Sequence, residues 1–310
     1  MTSSETARAE PMPAAPADLQ SFRTFFYKSF DGLKLAARIY DAPEAALPLI
    51  CLAGISRNSR DFSELAPVIA ADARKPRRVI AFDYRGRGAS GYDPNPQGYT
   101  IQNELRDLFD GLAALDIKRS VFFGTSRGGL LTMIAAAMRP ELVAAAVLND
   151  VGPEVDPAGL AEIRGYLGKN PSPADWPAAI ATLKRIHEKR FTALSEEDWD
   201  VWARMSYAER DGRPHVDYDR ALVAAFEPPP RPEPGTEAPN LWSQFRKLAE
   251  VPMLVLRGAN SALFTPAIAE AMAAVGSRVK LEVVLGQGHP VQLRGAVNQR
   301  IAAWLSELPE

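Results

Sequence analysis

Apolar residues along the chain fall into short continuous runs that alternate with stretches of helical periodicity. Residues 24–40 hold two strand-like runs, TFFYKSF and LKLAARIY, on either side of Asp31-Gly32, a dipeptide that predicts a hairpin turn. The runs at 48–52, 78–83, 121–123 and 143–148 are short, continuously apolar and bounded by turn residues. That pattern predicts strands buried on both faces. Between them, residues 63–71 are apolar at helical spacing, and Leu105, Leu108, Leu112 and Leu115 form a three-to-four stripe. Residues 128–138 read as a helix of small and apolar residues, closed by Arg139-Pro140. Such alternation predicts βαβ units and a parallel sheet after the first hairpin.

The pattern then changes. Residues 152–246 contain no buried-strand run, but they hold helical pieces, four of the five Trp (Trp176, Trp199, Trp202 and Trp242) and the Pro-rich stretch 228–234. Alternation resumes with a strand at 253–256, a helix at 266–275, a strand at 280–285 and a helix at 297–305. The expected organisation is therefore an α/β core of residues 21–151 and 247–310, interrupted by a helical insertion at 152–246. The Pro-rich stretch reads as a semi-rigid connector. Residues 1–20, rich in Ala, Pro and small polar residues, read as a disordered tail rather than a signal peptide.

Composition narrows the function classes. With 36 Lys+Arg against 38 Asp+Glu, the net charge of -2 offers no basic field for nucleic acid or anionic lipid. No run of 18 apolar residues is present, so no membrane span is expected. A single cysteine, Cys51, forbids an internal disulfide and a Cys-rich zinc site, and reads as packing within its strand. The expectation is a cytoplasmic protein acting on a small molecule, without metal or cofactor, with a homodimer left open. Imidazole chemistry must come from His187, His215 or His289.

Gly124-Thr125-Ser126-Arg127-Gly128 lies between a predicted strand and a predicted helix. This is G-x-S-x-G in the strand–turn–helix setting that gives the motif its mechanical meaning. A tight turn lifts the Ser126 hydroxyl clear of the sheet and leaves the Arg127 N–H at a helix start, where it can donate to an oxyanion. The Lys-Ser/Thr ending of a phosphate-binding loop is missing.

From about residue 21 to 308 the chain resembles the α/β-hydrolase fold family, in particular its capped esterase and C–C hydrolase-like members. The resemblance rests on LAGISRNSRDF (52–62), FDYRGRGAS (82–90), GTSRGGLLTM (124–133), VLNDVGPE (147–154), LRGANS (256–261) and GQGHP (286–290). It implies a mostly parallel eight-stranded sheet with a helical cap inserted after the sixth strand. It makes Ser126 the nucleophile and His289, in the loop after the last strand, its base. It assigns the second oxyanion donor to the N–H of Ile55, after Ala53-Gly54. His187, in the charged helix KRIHEKR, reads instead as part of a solvated face. Candidate substrate contacts are Gly54, Arg57, Asn58, Trp202 and His215. For Asn58 and its neighbours a helix-capping role is the simpler reading, and for the tryptophans a role in the insertion's own core. Arg57, Arg85, Arg87 and Arg127 lie near the elbow, and pairing with local carboxylates is expected of them rather than acid specificity.

The third member of the expected triad is the difficulty. The resemblance puts the acid just after the strand at 253–256, where the chain reads Arg257-Gly258-Ala259-Asn260-Ser261-Ala262, so the usual carboxylate position is Ala262. Three readings compete: a deliberate inactivating substitution at Ala262, a different carboxylate with Asp150 the best candidate, or an impaired enzyme or pseudoenzyme. Asn260 could orient the imidazole without neutralising it. The leading function is a serine hydrolase of a carboxylic ester, thioester or lactone. The alternatives are C–C bond hydrolysis of a diketone-type substrate and a catalytically impaired ligand-binding protein.

Overall fold

The computed structural model describes residues 22–43, 46–169, 172–226 and 240–309. The expected tail at 1–20 and the Pro-rich connector at 228–234 lie outside the described residues. The first hairpin forms as expected from β1 (Arg23–Lys28) and β2 (Lys34–Tyr40), with Gly32 at φ 86° in its turn. The buried runs become β3 (Leu49–Leu52), β4 (Val79–Asp83), β5 (Ser120–Thr125) and β6 (Val143–Asn149). Two more strands, here called β9 (Met253–Gly258) and β10 (Val279–Val284) in chain order, complete one eight-stranded sheet. Its order is β1-β2-β4-β3-β5-β6-β9-β10; β2 is antiparallel to both neighbours and every later pairing is parallel. The α/β-hydrolase fold expected from the sequence is thus present.

The two sheet faces account for the continuous apolar runs, because helices cover both. On one face, Leu105, Leu108 and Leu112 of α2 (Ile101–Ala114), with Leu131 and Met133 of α3 (Arg127–Met138), pack onto Ile50, Phe82 and Phe122. On the other, α1 (Leu65–Ala70) and α9 (Gly295–Glu307) bury Leu65, Ile69, Ile301 and Leu305 against Cys51, Val121 and Phe123. Burying each such side chain is worth roughly 1.5–3 kcal/mol. Cys51 is fully buried and its thiol is pushed well up by desolvation, in keeping with a packing role.

Between β6 and β9 the chain leaves the sheet. It forms α4 (Pro157–Tyr166), α5 (Trp176–His187) and α6 (Glu196–Ser206), then the small antiparallel pair β7 (Tyr207–Arg210) and β8 (Arg213–Val216). Leu183, Phe191, Trp199 and Trp202 form a separate cluster there, as expected of the tryptophans. Trp242 departs from that expectation. It opens α7 (Trp242–Leu248), which packs on α3, and Phe245 and Leu248 join the main sheet's core. The hairpin was also missed by the strand criterion, although Asp211 and Gly212 carry its turn at φ 50° and 72°. Asp-Gly is the dipeptide such a turn demands, and it was the available signal.

The elbow is the tightest point of the sheet. A Cβ on Gly128 would lie 2.1 Å from Leu52 O, and one on Gly124 would lie 2.5 Å from Gly128 O. Both obstacles are backbone atoms and cannot rotate away. We expect Gly128→Ala to lower the unfolding free energy by about 2–3 kcal/mol, read from the urea midpoint at unchanged slope.

Candidate active site

The parallel strands end together. Register pairs Leu52 with Gly124, Thr125 with Asn149, Asn149 with Leu256, and Val284 with Gly258. The loops that follow β3, β5, β6, β9 and β10 therefore share one sheet edge, the place where open parallel sheets gather ligands. Ser126 stands there at φ 51° and ψ -114°, a conformation that a non-glycine residue adopts only at a cost of about 1–3 kcal/mol. The bond from Ser126 N–H to Asn149 O, at 3.0 Å, ties the strained residue to the neighbouring strand.

Three side chains from three of these loops form one hydrogen-bonded chain. Ser126 Oγ lies 2.9 Å from His289 Nε2, and His289 Nδ1 lies 2.7 Å from Asp150 Oδ2. Asp150 is fully buried, with φ 55°. Its Oδ1 accepts the Gly258 N–H at 2.7 Å and its Oδ2 accepts the Ser261 hydroxyl at 2.6 Å. The carboxylate is thus held by donors from the very loop where the resemblance expects the acid. Ala262 offers no polar side chain, and Asn260 points elsewhere, donating to Arg190 O at 2.9 Å.

The oxyanion candidates can be placed by elimination. Among the first-turn N–H groups of α3, Gly128 donates to Ala53 O, and Gly129 and Leu130 donate to Ser126 O. The Arg127 N–H is the one outside these bonds, as a helix's first donor normally is. Opposite it, the 54–57 turn is closed by Arg57 N–H donating to Gly54 O and held by Arg87 Nε donating to Ile55 O at 2.8 Å. Gly54 abuts the elbow: a Cβ there would lie 4.0 Å from Ser126 Cβ.

A sequence profile of the Alpha/beta hydrolase family matches residues 49–301. The chain belongs to this family. It is 28% identical over 260 residues to the 3-hydroxybutyrate-oligomer hydrolase of Cupriavidus necator, covering 83% of this chain and 87% of that one. It is similar to a solved alpha/beta hydrolase from Novosphingobium aromaticivorans at 37% identity and TM-score 0.83, covering 92% of this chain and 98% of the other. Its fold is also that of an E-2-(acetamidomethylene)succinate hydrolase, at 21% identity and TM-score 0.72, covering 93% of this chain and 99% of the other.

Around the Ser126 hydroxyl of this hydrolase lies a cavity of about 150 Å³. An apolar space of that order admits a molecule about the size of benzene. Of the candidate substrate contacts, Gly54, Arg57 and Trp202 line it, and so does Ile55, the candidate oxyanion donor. Asn58 and His215 are not among its lining residues. Asn58 is buried elsewhere: it accepts the Arg60 N–H as a helix cap and donates to Asp217 Oδ2 at 2.9 Å, joining the core to the inserted segment. His215 is spent on the β7–β8 ladder, opposite Ala208. Arg57 pairs with Asp61 through Nε at 3.0 Å and also reaches Ser206. Arg127 and Arg87 share buried Glu104 at 2.6 and 2.9 Å. Burial alone would raise the Glu104 pKa, but the two guanidiniums win and hold it below the usual carboxylate value. Arg85 pairs with Asp107, Asp93 and Asp31. Local pairing therefore absorbs all four arginines.

His187 overturns its expected place on a solvated face. It lines the cavity, stacks on Trp202 at 4.7 Å and meets Tyr166 edge-on at 5.3 Å. One residue per turn of a charged helix faces inward, and periodicity alone did not say which. Desolvation, helped by the positive charges of Arg57 and His289, pushes its pKa down to about 3. Among the described residues, no group of three or more His, Cys, Asp or Glu could hold a metal ion. No described helix is long and apolar enough to cross a membrane.

The His187 shift sets a pH dependence. Unfolded, the ring titrates near 6.5; folded, it stays neutral down to about 3, so the unfolded chain binds the extra proton in between. We expect this contribution to be intact above pH 6.5 and lost progressively as pH falls toward 3, with a slope of at most about 1.4 kcal/mol per unit. His187→Phe should flatten that slope in urea unfolding measured across the same pH series.

Proposed function

We propose that the protein is a serine hydrolase of small carboxylic esters, working through an acyl-enzyme on Ser126. The observation that carries this reading is the unbroken chain Ser126–His289–Asp150, at 2.9 and 2.7 Å. His289 Nε2 takes the Ser126 proton as Oγ bonds to the substrate carbonyl carbon. The oxygen that becomes negative is stabilised by the N–H groups of Ile55 and Arg127. As the carbon–oxygen bond breaks, His289 returns the proton to the departing alcohol. A water then repeats the sequence, giving its proton to His289 and its oxygen to the acyl carbon, and Ser126 regains its hydrogen.

Asp150 fixes the imidazole so that Nδ1 carries the hydrogen and Nε2 is free, and it stabilises the imidazolium that forms. Its bonds from Gly258 N–H and Ser261 Oγ hold the carboxylate aimed at the ring. This supports a competent enzyme, with Ala262 no lesion, over the impaired-protein reading. The Cupriavidus necator relative, named for hydrolysing oligomers of a hydroxy acid, supports ester chemistry. The cavity volume favours a short acyl group. The inserted segment, whose Trp202 and His187 form part of its wall, acts as the cap over it.

A fluorophosphonate should label the wild type at Ser126 and leave Ser126→Ala unlabelled, as read by mass spectrometry; labelling of the variant would remove the nucleophile assignment. With p-nitrophenyl butanoate, Asp150→Ala should lower kcat by about 10⁴-fold. Ala262→Asp in the otherwise unchanged chain should not raise it. A large gain from Ala262→Asp would return the missing-acid reading.

A further inference from the structure

Three charged side chains meet behind the elbow. Glu104, in the first turn of α2, is fully buried, and its two oxygens face two guanidiniums. Oε1 lies 2.9 Å from Arg87 Nη2, and Oε2 lies 2.6 Å from Arg127 Nε. None of the three lines the cavity at Ser126. Stability alone gives little reason for an ion cluster here, since packed apolar side chains of similar volume commonly serve a core as well or better.

Each arginine belongs to one half of the oxyanion site. Arg127 supplies an N–H from its own backbone, and its side chain ties the start of α3 to α2. Arg87 reaches the other half, where its Nε donates to Ile55 O at 2.8 Å. A peptide unit is planar, so bonding its carbonyl also fixes the direction of its N–H. Three successive planes are held in this way. Ala53 O accepts from the Gly128 N–H and from the Tyr84 hydroxyl, each at 3.1 Å. Gly54 O accepts the Arg57 N–H at 3.1 Å, and Ile55 O accepts from Arg87. The Ile55 N–H lies in the middle plane, whose carbonyl bond is internal to the turn. Its direction is therefore set by the anchored planes on either side. Arg87 is aligned in turn by Nη1 donating to Arg85 O at 2.7 Å and by Glu104.

We propose that Glu104 is a positioning residue for the oxyanion site: by holding Arg87 and Arg127 on one carboxylate, it sets the Ile55 and Arg127 N–H groups at a fixed separation. The inference rests on the serine-hydrolase reading above for the oxyanion itself. Without the carboxylate, two buried guanidiniums face each other unpaired and one must move. Movement of Arg87 releases Ile55 O, and movement of Arg127 frees the start of α3. An amide at 104 accepts from one guanidinium only, because its NH2 group turns a donor toward the other. A misplaced donor is felt most by the charge that develops at the carbonyl oxygen, and little by the uncharged substrate.

The test separates the two kinds of binding. The trifluoromethyl ketone with a propyl chain imitates the first step: Ser126 Oγ bonds to its carbonyl carbon, the hydroxyl proton passes to His289 Nε2, and the carbonyl π pair becomes the oxyanion. Butanamide carries the same chain and resists addition. Glu104→Gln should lower kcat for p-nitrophenyl butanoate about tenfold with KM changed less than about twofold. It should weaken the ketone about tenfold and leave butanamide unchanged. Arg127→Gln, at a side chain that is partly exposed, should show the same split and carries the test if Glu104→Gln does not fold. The Glu104→Gln/Arg127→Gln pair should lose less than the product of the two single effects, because both break one cluster. Equal losses for ketone and butanamide, or an unchanged ketone affinity in the folded variants, overturn the positioning role. Ketone binding that Ser126→Ala abolishes and both cluster variants retain sinks that role alone. A ketone that the wild type binds no better than butanamide, with Ser126→Ala still turning over the ester, sinks the serine reading and this inference with it.

Discussion

A fully buried carboxylate, Asp150, organises this end of the molecule. A charge removed from water is tolerated only when its lone pairs are met by donors. Here the donors come from separate parts of the chain: the Gly258 N–H and Ser261 hydroxyl after β9, and the His289 ring after β10. Meeting that requirement fixes the spacing of three loops at once. It also determines where the imidazole points, and so which hydroxyl it can reach. The strained Ser126 turn is the counterpart on the neighbouring strand, held open by glycines that let α3 press against β3.

The segment between β6 and β9 depends on the same edge. Its attachment is both apolar, through Ile163 and Leu167 packed with Leu263 and through Phe245 and Leu248 in the sheet's core, and polar. Asp217 accepts from Asn58 Nδ2 and pairs with Arg60 at 2.6 Å, the Asp217 carbonyl accepts from the Gly88 N–H, and Tyr99 donates to Asp219 at 2.5 Å. Its own core of stacked aromatic rings is separate from the sheet's. Such a joint gives a cavity with a polar floor at the strand ends and an aromatic roof. His187 belongs to that roof through ring contacts, and desolvation keeps it neutral near pH 7.

Much of this was legible beforehand. Buried strands announce themselves as continuous apolar runs, and the elbow glycines sit at a spacing that only a strand–turn–helix explains. Loop order put Ser126 and His289 at one edge, where they lie 2.9 Å apart. The acid was harder, because a carboxylate at the end of β6 and one after β9 lie on adjacent strands and can reach the same ring. Choosing between them depends on distances across strands, and composition carries none. Ser261, whose hydroxyl supports Asp150, stood in the sequence only as the last residue of the LRGANS stretch. Asn58 caps a helix, the simpler of its two readings, and His215, a candidate contact by type, is held in a hairpin.

Local sequence, by itself, determined most elements of the sheet, their order and the two candidate reactive groups, because strand burial, helix periodicity and glycine sterics act over a few neighbouring residues. Only the tertiary structure decided the partner of His289 and the inward turn of His187. The first depends on which strands are neighbours and joins residues 139 positions apart, and the second on how the helices at 157–166, 176–187 and 196–206 pack their rings together.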